Sequence, residues 1–401
     1  MKIGIIREGK IPPDKRVPFT PTQCRNLMDR YPQLDLVVQP SEIRAFKDSA
    51  YQAQGIQLQE DMSDREVLFG VKEVPIEMLI PDKRYFFFSH TYKEQPYNRK
   101  LLQAILDKRI QLIDYELLKD SKGDRIIGFG RWAGIVGAYS GFRGWGMLND
   151  SFHIKAAHAC EDMQEMLGEL KKVSLPDHFK LVVTGTGRVG KGAHEIIRAL
   201  DIQQIEPEAF LDYSDPTPVY TILDAEDYNR HAEGRSWDKS HFYAHPEEYE
   251  GTFLRFAKSA DMYIPCHYWD SNAPLILSEE DLRDPDLRLQ IISDVSMDIK
   301  EPIASTVRPS VIGDAYYGYD PQAAEEVPFG TPGSIGVQAV DNLPCELPKD
   351  ASQDFGQALM DKVIPCLLGD DPDRIIERAS QTDLHGNLMP DFMYLSDYLK
   401  G

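Results

Sequence analysis

Cysteine is scarce in this sequence, with five residues in 401. They are far apart along the chain, and no two of them form a CxxC pair. Disulfide-rich secreted proteins and zinc modules both use closely spaced cysteines, so this spacing argues against either class. The ten histidines show neither HExxH nor another short metal-ligand spacing. The sequence therefore predicts no metal site. The five cysteines are Cys24, Cys160, Cys266, Cys345 and Cys366, and we expect Cys160, Cys266 and Cys366 to pack as small apolar side chains.

Long apolar runs and a surplus of basic residues are also missing. No stretch of about 18 apolar residues occurs, and the first residues, MKIGIIREGK, contain no apolar signal region. Acidic residues outnumber basic residues by 65 to 44, which gives a formal net charge of −21. A charge of this sign repels nucleic acid and anionic membranes. We therefore expect a cytoplasmic protein with no nucleic-acid and no membrane partner. An anionic substrate would require a local cluster of Arg and Lys.

Strand-like apolar runs alternate with helical patterns along most of the chain, which predicts parallel strands in an α/β layer fold. The runs lie at residues 3–6, 34–38, 67–71, 85–88 and 110–113, and then at 181–183, 219–223, 262–265 and 289–293. From Val337 onward the pattern is helical, and we expect this tail to return to the first domain. The polar segment 225–258 allows no assignment. The aromatic stretch 314–320 is expected to be a packed loop.

Four glycines are regularly spaced in the stretch 132–146, which otherwise has helical character. They occupy positions 134, 137, 141 and 144, and these positions share one face of a helix. Glycine inside a helix costs roughly 1 kcal/mol relative to alanine, so a glycine face needs a reason, such as the close approach of another backbone. We interpret the stretch as a helix at the boundary where two domains pack.

The sequence GTGRVG at 185–190 follows an apolar strand and precedes a helix, which is the context of a dinucleotide-binding turn. Gly185 permits the tight turn, Gly187 lets the backbone approach a pyrophosphate, and Gly190 lets the helix pack on the strand. The first turn of the helix then offers free N–H groups and the positive end of its dipole to the phosphates.

An acidic residue at the end of the next strand would bind the adenosine ribose and repel a 2′-phosphate, which favours NAD over NADP. Asp224 ends the strand 219–223, but it lies farther from the glycines than the usual spacing of about 20 residues. Asp212 is the competing candidate.

Charged residues follow three strand candidates of the first domain. Lys72 and Glu73 come after VLFGV, His90 follows FFFS, and Glu116 follows LIDY. Ligands of open α/β sheets bind at the carboxyl ends of the strands. The sequence therefore predicts a site at this edge of the sheet.

Several strings distributed over nearly the whole chain resemble one family. They are RE at 7–8 with DKR and PFTP at 14–21, GVKEVP, FFFSHTYKEQ, LIDYELL, GFGRWAGIVGA, TGTGRVGKGA, YWDSNAP, SDVSMD and VDNLPCELPKDAS. Together they resemble the lysine-forming saccharopine dehydrogenases and the lysine–2-oxoglutarate reductase half of bifunctional lysine-degrading enzymes, in the alanine dehydrogenase/transhydrogenase superfamily. The resemblance implies two Rossmann-like doubly wound α/β lobes with parallel sheets and a cleft between them. The substrate lobe would span 1–133 and 345–401, and the dinucleotide-binding lobe would span 134–344.

The resemblance also implies roles for the charged strand-end residues. Lys72 and His90 match the two acid/base residues of the family, and Glu73 and Glu116 match carboxylates that tune them. The saccharopine reaction needs both groups, because a secondary amine must lose a proton and water must attack an imine. We expect Lys72 to take the amine proton and His90 to serve the water steps, although the roles could be exchanged.

Further residues are implied for binding. Arg16 and Arg125 match residues that bind substrate carboxylates, and Arg131 adds a cation where the family has an aromatic residue or glutamine. The residues expected at the dinucleotide are Gly185, Gly187, Arg188, Val189, Gly190, Asp224 and Asp341, the last near the nicotinamide.

The resemblance implies an enzyme that converts saccharopine, NAD and water to lysine, 2-oxoglutarate and NADH, or runs the reverse reaction. One alternative is an alanine-dehydrogenase-like enzyme that acts on a smaller amino acid. Another is a nucleotide-binding regulator without catalysis. The expected partners are small molecules, and the expected assembly is a monomer or a small homo-oligomer.

Overall fold

The computed structural model describes residues 1–400, which form two compact units. The first unit contains residues 1–129 and 348–400, and the second contains residues 130–347. Within residues 1–400, no helix is both long enough and apolar enough to cross a membrane.

The strands and helices are short and alternate along the chain. The strands are β1 Lys2–Ile5, β2 Asp35–Val38, β3 Gln57–Leu58, β4 Val67–Phe69, β5 Arg84–Phe87, β6 Gln111–Asp114, β7 Lys180–Thr184, β8 Gln203–Gln204, β9 Val219–Leu223, β10 Asn229–His231, β11 Tyr249–Gly251, β12 Met262–Pro265, β13 Ile291–Ser293, β14 Tyr316–Asp320, β15 Glu325–Val327 and β16 Ile335–Gln338. The α-helices are α1 Pro21–Arg30, α2 Asp48–Ala53, α3 Arg99–Asp107, α4 Gly130–Leu148, α5 Met163–Leu170, α6 Arg188–Ala199, α7 Pro207–Asp212, α8 Ala225–Tyr228, α9 Lys239–Ala244, α10 Leu254–Ala257, α11 Glu279–Leu282, α12 Pro348–Ala358, α13 Ile364–Leu368, α14 Ile375–Ala379 and α15 Leu395–Lys400.

The first unit is built on a six-stranded sheet in the order β3-β2-β1-β4-β5-β6. Every pairing in it is parallel. Its central strands are buried on both faces, which explains their continuous apolar sequences. Phe355, Leu359 and Val363 of the C-terminal segment are buried in the core of this unit.

The second unit has an eight-stranded sheet in the order β15-β14-β16-β13-β12-β7-β9-β8. The strands from β16 to β8 are parallel, whereas β14 runs antiparallel to both β16 and β15. The prediction of a doubly wound α/β fold is confirmed, and the second sheet gains an antiparallel edge that the strand pattern did not predict.

Two expectations for this edge were wrong. The aromatic stretch 314–320 contains strand β14, not a loop, and its Tyr317 and Tyr319 are buried in the core of the second unit. Residues from Val337 do not begin a helix, because β16 continues to Gln338 and lies between β13 and β14. All four residues of β16 are buried, so an interior strand accounts for the apolar pattern.

The glycine face of the 132–146 stretch is part of the 19-residue helix α4 and packs inside the second unit. A Cβ atom built on Gly134 would lie 1.9 Å from the carbonyl oxygen of Val189 in α6, and one on Gly141 would lie 2.2 Å from Met262 in β12. The predicted close approach of another backbone is therefore confirmed at Gly134, whereas Gly141 meets a side chain. The prediction that the glycine face packs at a domain boundary was wrong, because these contacts are with a helix and the sheet of the same unit.

Gly134→Ala is expected to lower the free energy of unfolding by about 1–3 kcal/mol, because the added methyl group collides with backbone atoms of α6. Gly168→Ala is the matched control. Gly168 also lies within a helix, α5, but its built Cβ meets no atom within 4 Å. That variant should gain up to about 1 kcal/mol from helix propensity. Urea unfolding of both variants measures the difference, and equal stabilities would refute the packing argument.

Candidate active site

The carboxyl edge of the first sheet carries the charged residues that the strand pattern singled out. Lys72 and Glu73 follow β4, His90 follows β5, and Glu116 lies in a 3₁₀ turn directly after β6. Because β4, β5 and β6 are adjacent and parallel, their carboxyl ends lie side by side. Three of the four residues, Glu73, His90 and Glu116, meet through their side chains.

The imidazole of His90 lies between two carboxylates. Its Nδ1 is 2.7 Å from Oε1 of Glu73, and its Nε2 is 3.9 Å from Oε2 of Glu116. The backbone of His90 is left-handed, with φ at +54°. Such conformations are uncommon in residues other than glycine and cluster at functional sites.

Glu73 is an ionised partner of His90. Its second oxygen, Oε2, is 2.7 Å from Nζ of Lys10. Burial by itself would raise the pKa of Glu73, but the hydrogen bonds from His90 and Lys10 outweigh burial and hold this pKa at about 2. Glu73 is therefore an anion at neutral pH and an acceptor for the imidazole N–H.

The carboxylate of Glu116 forms ion pairs with two cations. Oε1 of Glu116 is 2.7 Å from Nη2 of Arg125 and 3.1 Å from Nζ of Lys93. Burial opposes ionisation, yet the charges of Arg125 and Lys93 lower the pKa of this carboxyl below its ordinary value. His90 thus lies between two negative charges, each of which is partly balanced by a cation.

Lys72 is half-buried at the same edge. Burial lowers the pKa of its ammonium group, and the nearby charge of Arg16 lowers it further, whereas Glu73 acts in the opposite direction. An amine with a lowered pKa can accept a proton closer to neutral pH than an exposed lysine can.

Two carboxylates that the strand-end argument missed hold the site loops in place. Glu8, which follows β1, accepts hydrogen bonds from the backbone N–H groups of Val71 and Lys72 at 2.7 and 2.9 Å. Burial and the charge of Asp14 raise the pKa of Glu8 to about 8, against the effect of these hydrogen bonds. The sequence did contain a signal for Glu8, because it follows an apolar strand as Lys72 does.

The second missed carboxylate is Asp114, at the end of β6. It is fully buried and accepts hydrogen bonds from the backbone N–H groups of Ser89 and Glu116 at 2.9 and 2.7 Å. One side chain therefore fixes both the loop that carries His90 and the turn that carries Glu116.

The three predicted carboxylate-binding arginines lie in different surroundings. Arg125 is 43% exposed and pairs with Glu116. Arg16 is 2% exposed, binds Asp14 through two N–H groups, and lies over the ring of Phe129. Arg131 belongs to α4 of the second unit, where it binds Glu195 of α6 through two hydrogen bonds of 2.6 Å. The structure thus groups Arg125 with the His90 cluster and gives Arg16 and Arg131 local carboxylate partners.

The glycine turn of the second unit has the predicted form. Gly185 has φ at +97°, which favours glycine. A Cβ atom on Gly190 would lie 1.9 Å from the carbonyl oxygen of Gly185, whereas one on Gly187 would meet no atom within 4 Å. The turn is therefore tight at its base and open at Gly187, at the N-terminus of α6, as a bound pyrophosphate requires.

A cavity of about 690 Å³ lies at this turn. Gly185, Gly187, Arg188, Val189 and Asp224 are among the residues that line it. Its size and the open glycine fit a dinucleotide.

The acidic candidates differ in their relation to this cavity. Asp224 lines it, and its Oδ2 is 3.3 Å from Nζ of Lys239, another lining residue. Asp212 ends helix α7, is exposed and does not line the cavity. Asp341 is also exposed, follows β16 and is absent from the lining. The geometry therefore favours Asp224 over Asp212 and gives no contact for Asp341 in this cavity.

Comparison with known proteins gives matches over both units. Residues 4–136 match the family model of the alanine dehydrogenase/PNT N-terminal domain. The chain is 31% identical over 398 residues to the alpha-aminoadipic semialdehyde synthase of Arabidopsis thaliana and 30% identical over 401 residues to the mitochondrial enzyme of Bos taurus. Each alignment covers 89% of this chain but only 37% and 42% of those proteins, so the chain spans about two fifths of their length.

A further relative matches over most of both chains. The lysine-forming, NAD(+) saccharopine dehydrogenase of Emericella nidulans is 26% identical over 381 residues, which are 90% of this chain and 91% of that protein. Among solved structures, an L-alanine dehydrogenase superposes with a TM-score of 0.67 at 17% identity and complete coverage of both chains, which shows a shared fold. The resemblance expected from the motifs is therefore confirmed: residues 4–136 match the alanine dehydrogenase/PNT N-terminal domain model, and the chain is similar over most of its length to lysine-forming saccharopine dehydrogenases.

Proposed function

We propose that the protein is an NAD-dependent oxidoreductase that interconverts saccharopine, NAD and water with lysine, 2-oxoglutarate and NADH. The observation that carries the proposal is the strand-edge cluster, in which one imidazole lies between two ionised carboxylates and a lysine with a lowered pKa lies nearby. A cytoplasmic location, a monomeric or small homo-oligomeric state and small-molecule partners are parts of the proposal.

The residues of the first unit suit the proton transfers of this reaction. A bound nicotinamide supplies the acceptor for the hydride that leaves the Cα–H bond of the glutarate moiety. Before that transfer, the amine of Lys72 takes the proton of the secondary ammonium group, so that the nitrogen lone pair can form the C=N bond. Glu73 accepts a hydrogen bond from His90 Nδ1, which leaves Nε2 to exchange protons with substrate and water.

His90 then serves the hydrolytic steps. Its Nε2 removes a proton from the water that attacks the imine carbon, and returns it to the nitrogen when the carbinolamine collapses. As the C–N bond breaks, the neutral Nε2 takes the proton of the carbinolamine hydroxyl, lysine leaves with its amine, and the carbon becomes the keto group of 2-oxoglutarate. The flanking carboxylates Glu73 and Glu116 stabilise the positive charge that His90 carries between these two transfers.

The cations near this cluster suit substrates with several carboxylates. Arginine binds a carboxylate through two parallel N–H groups, and Arg125 is the exposed arginine of the cluster. We propose that Arg125 binds the glutarate moiety. Arg16 and Arg131 remain candidates for substrate carboxylates, and Asp341 remains a candidate for the nicotinamide end of the cofactor.

Asp224→Ala is expected to weaken NADH binding about 10–100-fold, because a charged hydrogen-bond acceptor for the ribose hydroxyls is lost. NADPH binding should weaken less or improve, because Lys239 remains near the site of the 2′-phosphate. Titration of NADH and NADPH fluorescence measures both constants.

Two matched variants test this assignment. Asp224→Asn keeps an oxygen for the cap at the start of α8 and should lose less NADH affinity than Asp224→Ala. Asp212→Ala should leave both constants unchanged. A loss of NADH affinity in Asp212→Ala, with none in Asp224→Ala, would contradict the proposal that Asp224 binds the ribose.

Steady-state assays test the function as a whole. We expect NAD reduction with saccharopine, and NADH oxidation with lysine plus 2-oxoglutarate. Turnover with pyruvate and ammonia in place of these substrates would instead support an alanine-dehydrogenase-like enzyme. NADH binding without turnover of any amino or keto acid would support a non-catalytic regulator.

A further inference from the structure

The segment 225–258, which the sequence pattern left unassigned, folds into a small subdomain of the second unit. Strands β10 and β11 form an antiparallel hairpin, and α9 lies between them in the chain. The subdomain brings together His231 at the end of β10, His241 in α9 and Glu248 just before β11. His241 follows His231 by ten positions, and Glu248 follows His241 by seven, so the three residues form no short metal-binding motif.

The ligand atoms of these three side chains converge. One ring nitrogen of each histidine and a carboxylate oxygen of Glu248 all lie within 4.8 Å of one another. Oε2 of Glu248 is 3.3 Å from Nε2 of His231 and 3.9 Å from Nε2 of His241. The side chain of His231 is 2% exposed, and its buried Nε2, although close to Glu248, makes no hydrogen bond of acceptable geometry within residues 1–400. A buried nitrogen of this kind needs a partner.

We propose that His231, His241 and Glu248 form a binding site for a zinc ion. Zinc binds histidine nitrogen and carboxylate oxygen at about 2.0–2.2 Å, so neighbouring ligands of a tetrahedral site lie roughly 3.3–3.5 Å apart. The distance from His231 to Glu248 already has this value, and the other separations reach it with small side-chain movements. A site with two imidazoles and one carboxylate binds zinc more strongly than calcium or magnesium, because those two ions favour oxygen ligands.

The surroundings require one hydrogen bond to be exchanged. The Nδ1 of His241 is 3.2 Å from the hydroxyl group of Tyr249, which can accept its N–H when Nε2 binds the metal. His231 Nδ1 instead accepts the backbone N–H of Glu233 at 3.1 Å. When zinc binds Nε2, the proton of the neutral ring lies on Nδ1, so this hydrogen bond is lost. Glu233 is exposed, and its N–H can bind water instead.

Two neighbouring groups bear on the site. The exposed Arg235 has Nη1 3.7 Å from Glu248 Oε2, and its side chain must turn to solvent when the metal binds. His245, Glu247 and Glu248 form a second converging set, but all three are at least partly exposed. The buried nitrogen of His231 makes the first set the stronger binder.

The experiment uses the 401-residue chain without a histidine tag. The protein is incubated with one equivalent of Zn²⁺, dialysed against zinc-free buffer, and its metal content is measured by mass spectrometry. Co²⁺ replacement gives the absorption spectrum of a tetrahedral site. We expect about one zinc per chain in the wild type. His241→Ala and Glu248→Gln each remove a metal ligand. They should weaken zinc binding by more than the roughly 10–100-fold that results when a residue supporting a ligand is lost.

His153→Ala and His245→Ala are the matched controls. His153 is an exposed histidine outside the subdomain, and His245 belongs to the second converging set. Both should retain zinc. Zinc should raise the thermal midpoint of the wild type and of His153→Ala, but not of His241→Ala, which separates metal loss from misfolding. Failure of the wild type to retain zinc would overturn the proposal. Loss of zinc in His245→Ala, with retention in His241→Ala, would also overturn it by assigning the metal to the second set.

Discussion

Replacement of Lys72 by methionine is expected to lower kcat for saccharopine oxidation by about 10²–10⁴-fold, the usual contribution of a positioned acid or base. Methionine has similar length but cannot take the proton of the secondary ammonium group, so the step before hydride transfer is blocked. Stopped-flow recording of NADH at neutral pH should therefore show no burst. The rate of this variant should rise with pH, as solvent removes the proton instead.

Two variants control this experiment. Lys72→Arg keeps a positive charge that does not dissociate in the accessible pH range, and should be as inactive as Lys72→Met. Lys122→Met changes an exposed lysine of the same unit and should keep full activity. NADH affinity should be unchanged in all three variants. Full activity in Lys72→Arg would show that Lys72 contributes charge and does not accept a proton.

His90→Gln is expected to lower steady-state turnover by a similar factor of about 10²–10⁴, for a different reason. Glutamine can still hydrogen-bond to Glu73 but cannot take a proton from water. Oxidation of the amine remains possible, so stopped-flow recording should show a burst of up to one NADH per site, followed by slow turnover. The burst therefore distinguishes the roles of the two residues.

His153→Gln is the matched control for this variant and should behave like the wild type, because His153 is an exposed histidine of the second unit. A burst in Lys72→Met and none in His90→Gln would exchange the two assigned roles. Wild-type turnover in both variants would remove the proposed site from the first unit.

The parallel strands and the residues at their ends were predictable from the sequence. Buried parallel strands are rich in apolar residues, and the apolar residues of β4, β5 and β6 marked these strands, so Lys72, His90 and Glu116 could be assigned to one edge. The glycine turn was predictable because its conformation admits few other residues.

Features that depend on long-range pairing were not predictable. The alternation of buried aromatic residues in β14 becomes a strand signal only when β16 is known to lie beside it. The hydrogen bonds of Glu8 and Asp114 join loops that are distant in sequence, and no local pattern shows which backbone groups a carboxylate will meet. The same holds for His231 and Glu248, which the β10–β11 hairpin brings together.

The position of Asp114 has a consequence for how this protein tolerates change. The carboxylate of Asp114 holds both the loop that carries His90 and the turn after β6, so the positions of these two segments are coupled. A displacement of one segment would displace the other, so a natural substitution at Asp114 should change the conformation of both segments together.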